Sequence, residues 1–281
     1  MNSVLRSVLY MPSSNARALE KATTIPADAI IFDLEDAVAP DAKETAREQA
    51  CAAVQSGKYG GRTLTIRCNG LDTPWGEADL KAAAAAGPHA VVLPKVSGPD
   101  HLAAVAAVVG EATRIWAMVE TPSAMFSVRE IAAHPQVDVL VMGTNDLAKE
   151  LRAQLVPGRA PLLPHLATAL LAAREAGINI LDGVYNDVKD AEGFEAEARQ
   201  GYELGFDGKT LVHPSQVEPT NAVWAPSAQD VEHAQRVLSA FEEGIAEGKG
   251  VVTVDGRMIE NLHVENARRT LATAEAIAAL G

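Results

Sequence analysis

Short apolar runs, many of them β-branched, alternate with Ala-rich stretches along most of the chain. This alternation predicts strands joined by helices, which is typical of a parallel sheet with crossover connections. Eight strands are predicted, over Val8–Met11, Ala29–Phe32, Leu64–Cys68, Ala90–Leu93, Ile115–Val119, Val139–Met142, Ile178–Leu181 and Thr210–Val212. The predicted helices include Asp41–Gln55, Asp79–Ala86, Asp100–Val109, Leu166–Ala176 and Ala191–Leu204, several of which end at a glycine, as helix C-caps do.

Eight strand–helix units in 281 residues favour an α/β fold of the (β/α)8 TIM-barrel type. A doubly wound sheet is the competing arrangement, but no Gly-x-Gly-x-x-Gly motif follows any predicted strand. We expect the barrel over residues 1–225, followed over residues 226–281 by a C-terminal helix, an arm and a terminal helix. The arm, Gly248–Arg257, is typical of a hairpin or extended segment. The helix after it, from about Glu265 to Leu280, is marginal alone, so we expect it to dock on a neighbouring subunit.

Polar side chains follow nearly every predicted strand, at the point where each strand ends. Tyr10, Arg67, Lys95 and Glu120 are examples on four different strands. A single polar residue after a strand means little, because strands commonly end in turn-forming residues. In a barrel, however, all the C-terminal strand ends open onto one face, so the recurrence predicts a functional site at that mouth.

Glu120 and Asp146 follow adjacent predicted strands and are the most specific pair of candidate metal ligands in the sequence. Two carboxylates, with water and an oxygen-bearing substrate, suit Mg²⁺. The alternative is that Glu120 caps the next helix and Asp146 caps the turn before Leu147. Zinc is disfavoured, because His213 has no His or Cys partner at ligand spacing.

Two cations at strand ends are candidates for holding an anionic substrate. The guanidinium of Arg67 could bind a carboxylate through two nitrogens, or it could form a structural ion pair with Glu35 or Asp36. Lys95 could form a Schiff base, as lysines of some barrel aldolases do. An electrostatic role is favoured instead, because nearby acids keep the ammonium charged.

The charge balance limits the partners. The chain has 24 Lys and Arg against 37 Asp and Glu, a formal net charge of −13, which disfavours nucleic acid and anionic membranes. No apolar run approaches a membrane span. Cys51 and Cys68 make neither a disulfide framework nor a zinc site, and the opening segment lacks the features of a signal peptide. We therefore expect a reduced, cytoplasmic setting.

Several motifs, in order along essentially the whole chain, resemble those of the citrate lyase β-subunit-like CoA-ester lyases of the HpcH/HpaI aldolase superfamily. They are Arg6-Ser7-Val8-Leu9-Tyr10-Met11-Pro12, Asp33-Leu34-Glu35-Asp36-Ala37-Val38 with Lys43 and Arg47 behind it, Arg67-Cys68-Asn69-Gly70, Leu93-Pro94-Lys95, Glu120-Thr121, and Gly205-Phe206-Asp207-Gly208-Lys209 through His213-Pro214-Ser215-Gln216. The resemblance implies a Mg²⁺-dependent barrel enzyme.

The resemblance also implies roles for individual residues. Glu120 and Asp146 match the ligands of Mg²⁺, for which Mn²⁺ can substitute, and Arg67 matches the residue that grips the carboxylate of a 2-oxo acid. Glu35 and Asp36 match carboxylates that hold metal-bound water or Arg67. The implied contacts to the substrate and its CoA moiety are Tyr10, Arg17, Lys21, Arg67, Lys95, Val212 and His213. For Arg17 and Lys21 the alternative is an ordinary solvated helix face.

The tail carries one departure from the pattern of this family. In its free-standing lyases a similar arm reaches a neighbouring subunit of a homotrimer, or a multiple of one, and presents an acid that is usually Asp. Here that position is Glu260. The longer side chain keeps the acid but moves its carboxylate, which matters for proton transfer. The alternative is an ordinary exposed glutamate.

Of three activities, the sequence favours the first, because the metal pair with Arg67 is complete and the N-terminal helix is cationic; the other two stay open as alternatives. The first is a Mg²⁺-dependent lyase that cleaves malyl-CoA or citramalyl-CoA by a retro-Claisen reaction to acetyl-CoA and glyoxylate or pyruvate. The second is a malyl-CoA thioesterase on the same scaffold, favoured only by Glu260. The third is a non-catalytic or carrier-dependent subunit of the citrate lyase β type, against which the C-terminal arm counts.

Overall fold

In the computed structural model, which describes residues 4–246 and 251–280, eight parallel strands close into a barrel in chain order. Each strand pairs with its sequence neighbours, and the eighth pairs with the first. The strands are β1 (Ser7–Pro12), β2 (Ala29–Asp33), β3 (Thr63–Arg67), β4 (Ala90–Leu93), β5 (Ile115–Val119), β6 (Val137–Met142), β7 (Asn179–Asp182) and β8 (Gly208–Leu211). The predicted TIM barrel is confirmed, and no strand end differs from its prediction by more than two residues.

Helices follow the strands and surround the barrel. They are α1 (Ala16–Ala22), α2 (Lys43–Gln55), α3 (Gly76–Ala86), α4 (Pro99–Val109), α5 (Pro122–Phe126), α6 (Val128–Ala132), α7 (Thr144–Leu151), α8 (Leu163–Ala176), α9 (Ala191–Leu204) and α10 (Val217–Trp224). The prediction for α9 matches at both ends, whereas α3 and α8 begin three residues earlier than predicted. In α8 the extra turn carries a proline near its start, where a missing N–H costs nothing. None of the described helices is both long and apolar enough to cross a bilayer.

The barrel interior is filled by alternate residues of the strands, because successive side chains of a strand point to opposite faces. The interior cluster contains Leu5, Val8, Ala29, Ile31, Ala90, Val92, Trp116, Met118, Val139, Val141 and Leu181, with Tyr10 packed against it. The same alternation continues past the strand ends. It brings Arg67 and Glu120 into the mouth in phase with the interior residues of β3 and β5.

A second compact unit begins at Trp224. It contains α11 (Ala228–Ala246), an antiparallel hairpin of β9 (Val252–Val254) and β10 (Arg257–Ile259), and α12 (Asn261–Leu280). Asp255 and Gly256 both have positive φ, as a two-residue hairpin turn requires. His233 and Arg236 of α11 contact the Asp255 carboxylate at 3.2 and 3.1 Å. The predicted hairpin is thus present over 252–259, while residues 248–250 of the predicted arm lie outside the described residues.

The terminal helix differs from its prediction. It starts at Asn261 rather than near Glu265, and it has 20 residues. It packs within its own unit, because Val264 and Ala267 share a buried apolar cluster with Val237 of α11 and Ile259 of the hairpin. Part of its apolar face is therefore covered by α11 and the hairpin of its own chain. The expected docking of this unit on a neighbouring subunit stays a prediction.

Candidate active site

The guanidinium of Arg67, at the end of β3, is held by a carboxylate that the sequence analysis left without a role. Asp33, at the end of β2, accepts hydrogen bonds from Nε at 2.6 Å and Nη2 at 2.7 Å. Both side chains are buried. The strand ends pair directly, Asp33 opposite Arg67, so the β2–β3 register produces this contact. The two-nitrogen edge expected to grip a substrate carboxylate is therefore engaged within the protein.

The other guanidinium nitrogen faces the loop after β2. Arg67 Nη1 lies 2.8 Å from Glu35 Oε2 and 3.6 Å from Asp36 Oδ2, so the alternative of an ion pair with these carboxylates is present as well. The guanidinium also stacks over the ring of Tyr10, 4.8 Å from its centroid. Burial, with Asp36 and Asp33 nearby, raises the pKa of Glu35 to about 7 despite the opposing effect of Arg67. Glu35 can therefore exchange a proton near neutral pH.

The loop that carries Glu35 and Asp36 is held in place by a buried hydrogen-bond network centred on Lys43. Lys43 of α2 donates from Nζ to the carbonyl oxygens of Leu34 and Glu35 and to Asn69 Oδ1, all within 2.8 Å. Asn69 in turn donates to Asp79 Oδ2. Asp33 accepts from the backbone N–H of Glu35 at 2.9 Å. The carboxylates near Arg67 thus rest on a preorganised loop.

Glu120 and Asp146 meet around Lys95. Glu120 Oε1 accepts a 2.7 Å hydrogen bond from the backbone N–H of Lys95, and Asp146 Oδ2 lies 3.4 Å from Lys95 Nζ. Lys95 holds this position with a left-handed backbone, φ 47°. Burial acts to lower the pKa of Lys95, but Asp146, Glu35 and Glu120 raise it overall. The ammonium is charged, as the electrostatic interpretation of Lys95 requires.

Neither carboxylate caps a helix. Thr121, not Glu120, caps α5, accepting the N–H of Ala124 through its side chain. Asp146 lies inside the first turn of α7, whose N-cap is Gly143. Burial, with Glu35 and Asp146, raises the pKa of Glu120 to about 7, although the N–H of Lys95 opposes the shift. The helix-capping alternative does not hold for this pair, and Glu120 is a buried acid without a capping role.

The donor set fits a hard divalent cation. Glu120 is buried and forms no ion pair with any residue the structure describes. Within the described part of the chain no three His, Cys, Asp or Glu side chains cluster as metal ligands. Two carboxylates with the remaining positions left to water and substrate oxygens is the arrangement that Mg²⁺ prefers. Glu120 and Asp146 could hold such an ion.

The residues expected to contact CoA lie in three places: on β1, which carries Tyr10, on α1, and after β8. Arg17 and Lys21 are one turn apart on α1, exposed, and without an ion pair among residues 4–246 and 251–280. Val212 and His213 are exposed after β8. His213 Nδ1 accepts the N–H of Ser215 at 3.2 Å, so its ring also caps the turn that follows.

Glu260 belongs to the second unit, where its exposed side chain stands directly before α12. Its backbone N–H donates to His263 Nδ1 at 3.0 Å. No described residue forms a hydrogen bond or ion pair with its carboxylate. Its predicted role at another subunit's site stays a prediction.

A buried charge network behind β7 and β8 was also missed. Lys209 is fully buried and donates to Asp182 Oδ2 at 3.1 Å and to Glu197 Oε1 at 2.8 Å. Arg159 lies 2.6 Å from the other Asp182 oxygen. Burial acts to raise the pKa of Asp182, but Lys209 and Arg159 lower it overall. In the sequence, the Gly208-Lys209 motif was the one sign of this network. The residues that Lys209 contacts come from distant segments of the chain.

Comparison with known proteins agrees with this geometry. The model of the family HpcH/HpaI aldolase/citrate lyase matches residues 6–214, and that of the C-C_Bond_Lyase of the TIM-Barrel fold matches residues 159–278. A (3S)-malyl-CoA thioesterase of Cereibacter sphaeroides is 54% identical over 98% of this chain and 96% of that protein. The citrate lyase subunit beta of Escherichia coli is 35% identical over 96% of this chain and 93% of that protein.

Among solved structures, protein CitE from Mycobacterium tuberculosis, in complex with magnesium, acetoacetate and coenzyme A, superposes with a TM-score of 0.80. It is 28% identical and covers 96% of this chain and 97% of its own. The predicted citrate lyase β-like family is confirmed by these matches. With its closed barrel and the acids and bases at its mouth, the chain belongs to the HpcH/HpaI aldolase/citrate lyase family.

Proposed function

We propose that this protein hydrolyses the thioester of a 3-hydroxyacyl-CoA of the malyl-CoA type. The observation that carries the proposal is the 54% identity, over 98% of the chain, to a protein named (3S)-malyl-CoA thioesterase. Citrate lyase β subunits are more distant, at 35% identity. The sequence favoured the lyase, with the thioesterase as an alternative, and the difference in identity now ranks the thioesterase first.

In this proposal Glu120 and Asp146 hold Mg²⁺, with Mn²⁺ as a substitute. When bound there, the ion polarises substrate oxygens and lowers the pKa of hydroxyl groups. Lys95, whose ammonium lies beside Asp146, adds positive charge for a substrate carboxylate. The protein is acidic overall, and its substrate carries a carboxylate and the phosphates of CoA. Binding is possible because the cations are concentrated at the mouth of the barrel.

Arg67 binds the substrate through Nη1, the nitrogen that Asp33 leaves available. Glu35 contacts this nitrogen at 2.8 Å. Glu35 is the residue that a substrate carboxylate replaces there, and a pKa of about 7 lets Glu35 take up a proton as it moves aside. Asp33 keeps the guanidinium oriented throughout.

The CoA moiety extends from the mouth across α1, where exposed Arg17 and Lys21 face its phosphates. Tyr10, Val212 and His213 line its path. In hydrolysis, a water oxygen bonds to the thioester carbon, the carbon–sulfur bond breaks, and the departing thiolate takes a proton. Glu260 of a neighbouring subunit, in a homotrimer or a multiple of one, is the proposed base for this water. We assign the reaction to the cytoplasm.

Carbon–carbon cleavage at the same mouth is the second candidate. The observation that favours it is the pairing of Glu120 and Asp146 with Arg67, the set that the family resemblance links to 2-oxo acids. Removal of the hydroxyl proton breaks the bond between the carbinol carbon and the methylene carbon. The products are glyoxylate and the acetyl-CoA enolate, which then takes a proton.

One assay separates the candidates. The purified protein is incubated with malyl-CoA or citramalyl-CoA and Mg²⁺, and free thiol and 2-oxo acid are followed separately, with EDTA as the metal-free control. Thiol without oxo acid supports hydrolysis, and oxo acid without thiol means cleavage. Turnover of neither ester by the protein alone, with size-exclusion chromatography showing only monomer, would instead support a carrier-dependent subunit. Full activity in EDTA would remove the metal assignment.

A further inference from the structure

The segment that carries Asp146 contacts its neighbours at three consecutive residues. The first is Gly143, which lies under the Glu120 side chain. A Cβ added at Gly143 would lie 3.0 Å from Glu120 Cδ and closer still to Oε2 and Cβ. Gly143, three residues before Asp146, therefore packs directly against Glu120, and a larger residue at this position would displace one of the two.

The second contact runs to the end of β7. Thr144, buried at 4% exposure, packs directly against Gly183. A Cβ added at Gly183 would lie 2.6 Å from Thr144 Cγ2, 2.9 Å from its Cβ, and closer still to Oγ1. Such separations lie well inside van der Waals contact, so one of the two residues would have to move.

The third contact is a reciprocal amide pair. Asn145 Nδ2 donates to Asn186 Oδ1 at 3.1 Å, and Asn186 Nδ2 donates to Asn145 Oδ1 at 2.8 Å. Asn186 lies in the loop after β7, three residues beyond Gly183. The pair ties the residue immediately before Asp146 to the same neighbouring strand end.

We propose that the end of β7, which contributes no carboxylate to the metal pair, sets the position of Asp146, with Gly183 as the main positioning residue and Asn186 as the second. The proposal rests on the assignment of Asp146 as a metal ligand under Proposed function. Thr144, Asn145 and Asp146 are consecutive residues of the first turn of α7. Leu147 N donates to Gly143 O at 3.0 Å and closes that turn. A displaced Thr144 therefore moves Asp146 with it.

The test measures metal binding without substrate. Mn²⁺ binding is followed by electron paramagnetic resonance, with Mg²⁺ as competitor, in the wild type and in Gly183→Ala. We expect at least tenfold weaker Mn²⁺ binding in the variant, the range typical when support of a metal ligand is lost. Gly61→Ala is the matched control, because an added Cβ there meets nothing within 4 Å. It is expected to bind Mn²⁺ as the wild type does.

A second substitution distinguishes positioning from general damage. Thr144→Ala removes the two closest atoms that the new Cβ would meet, so the Gly183→Ala/Thr144→Ala double variant is expected to regain most of the Mn²⁺ affinity. Binding by Gly183→Ala equal to that of Gly61→Ala, or no recovery in the double variant, would overturn the inference.

Folding and function are separated by two further readouts. If circular dichroism shows that Gly183→Ala does not fold, Asn186→Ala decides, with severalfold weaker Mn²⁺ binding expected and unchanged binding counting against the proposal. A wild type that binds neither Mn²⁺ nor Mg²⁺ would remove the metal assignment and this inference together. A wild type that binds, with all variants binding equally, would remove only this inference.

Discussion

Replacement of Arg67 by Lys keeps the charge at the barrel mouth but removes the planar fork. The chain offers a matched control at the opposite end of the barrel. Arg6, just before β1, makes the same two-nitrogen contact with Asp28, from Nε at 2.8 Å and Nη2 at 2.7 Å. Both pairs are buried, so Arg6→Lys reproduces the structural loss at a place remote from the site.

The expected magnitude follows from the hydrogen bonds. Arg67 donates twice to Asp33 and contacts Glu35, whereas an ammonium on a flexible stem cannot reproduce the planar fork. A hydrogen bond to a charged group contributes about 1.5–3 kcal/mol. Loss of one such bond in the fold predicts a decrease of that size in the free energy of unfolding for both variants. Loss of a further hydrogen bond, from Arg67 to the substrate, predicts a fall of about 10- to 150-fold in kcat/KM for Arg67→Lys alone.

Two measurements on each variant test this reasoning. Urea unfolding gives the change in stability, and thioester turnover with Mg²⁺ gives kcat/KM. We expect both variants to lose similar stability and Arg6→Lys to keep wild-type kcat/KM. If Arg67→Lys also turns over substrate at the wild-type rate, Arg67 serves the fold alone. If Arg6→Lys loses as much activity as Arg67→Lys, the loss reports general destabilisation and not substrate binding.

Three further predictions follow from the buried network and the tail. Lys209→Met leaves Arg159 as the remaining cationic partner of Asp182 and Glu197, so it is expected to lower the free energy of unfolding by about 3 kcal/mol, the low end of the range for a broken buried pair, whereas Lys81→Met, in an exposed helical pair, should barely move the urea midpoint. The pKa of Asp182 is lower in the folded state, so its contribution to stability is present above the ordinary pKa of an aspartate and is lost as pH falls through the lower value. Asp182→Asn should therefore reduce the loss of unfolding free energy between neutral and acidic pH, measured by urea unfolding at each pH. An unchanged pH dependence in the variant would contradict this. If Glu260 serves a neighbouring subunit, inactive Glu260→Ala and Asp146→Ala chains should regain part of the activity after subunit exchange, and no recovery would place Glu260 outside that role.

The barrel itself was readable from the sequence, because strand and helix periodicities are local. Eight buried strands such as Ile115–Val119 are recognisable from their apolar composition. The helices between them are recognisable from Ala-rich stretches that end at a glycine. The face on which Glu120 and Asp146 meet followed from topology, since parallel strands of a barrel all end on one side. Motif order along the chain then indicated the family.

The partners of those side chains could not be read in the same way. Asp33 holds Arg67 because the β2–β3 register places the two opposite each other, and register depends on the closed sheet. The contact of Gly183 with Thr144 joins two strand ends 39 positions apart, and a glycine carries no sign of what packs on it. The packing of the terminal helix against α11 and the hairpin was not predicted for the same reason, because it joins separate segments of the chain.

The sequence by itself therefore determined the type of fold, the end of the barrel at which the candidate site lies and the residue types available there. The tertiary structure alone decided which nitrogens of Arg67 are engaged by Asp33, which two acids have their pKa raised to about 7 by burial, and what packs against the turn that carries Asp146. The reason is physical. Periodicity and strand ends are properties of neighbouring residues, whereas pairing, desolvation and close packing depend on residues that only folding brings together.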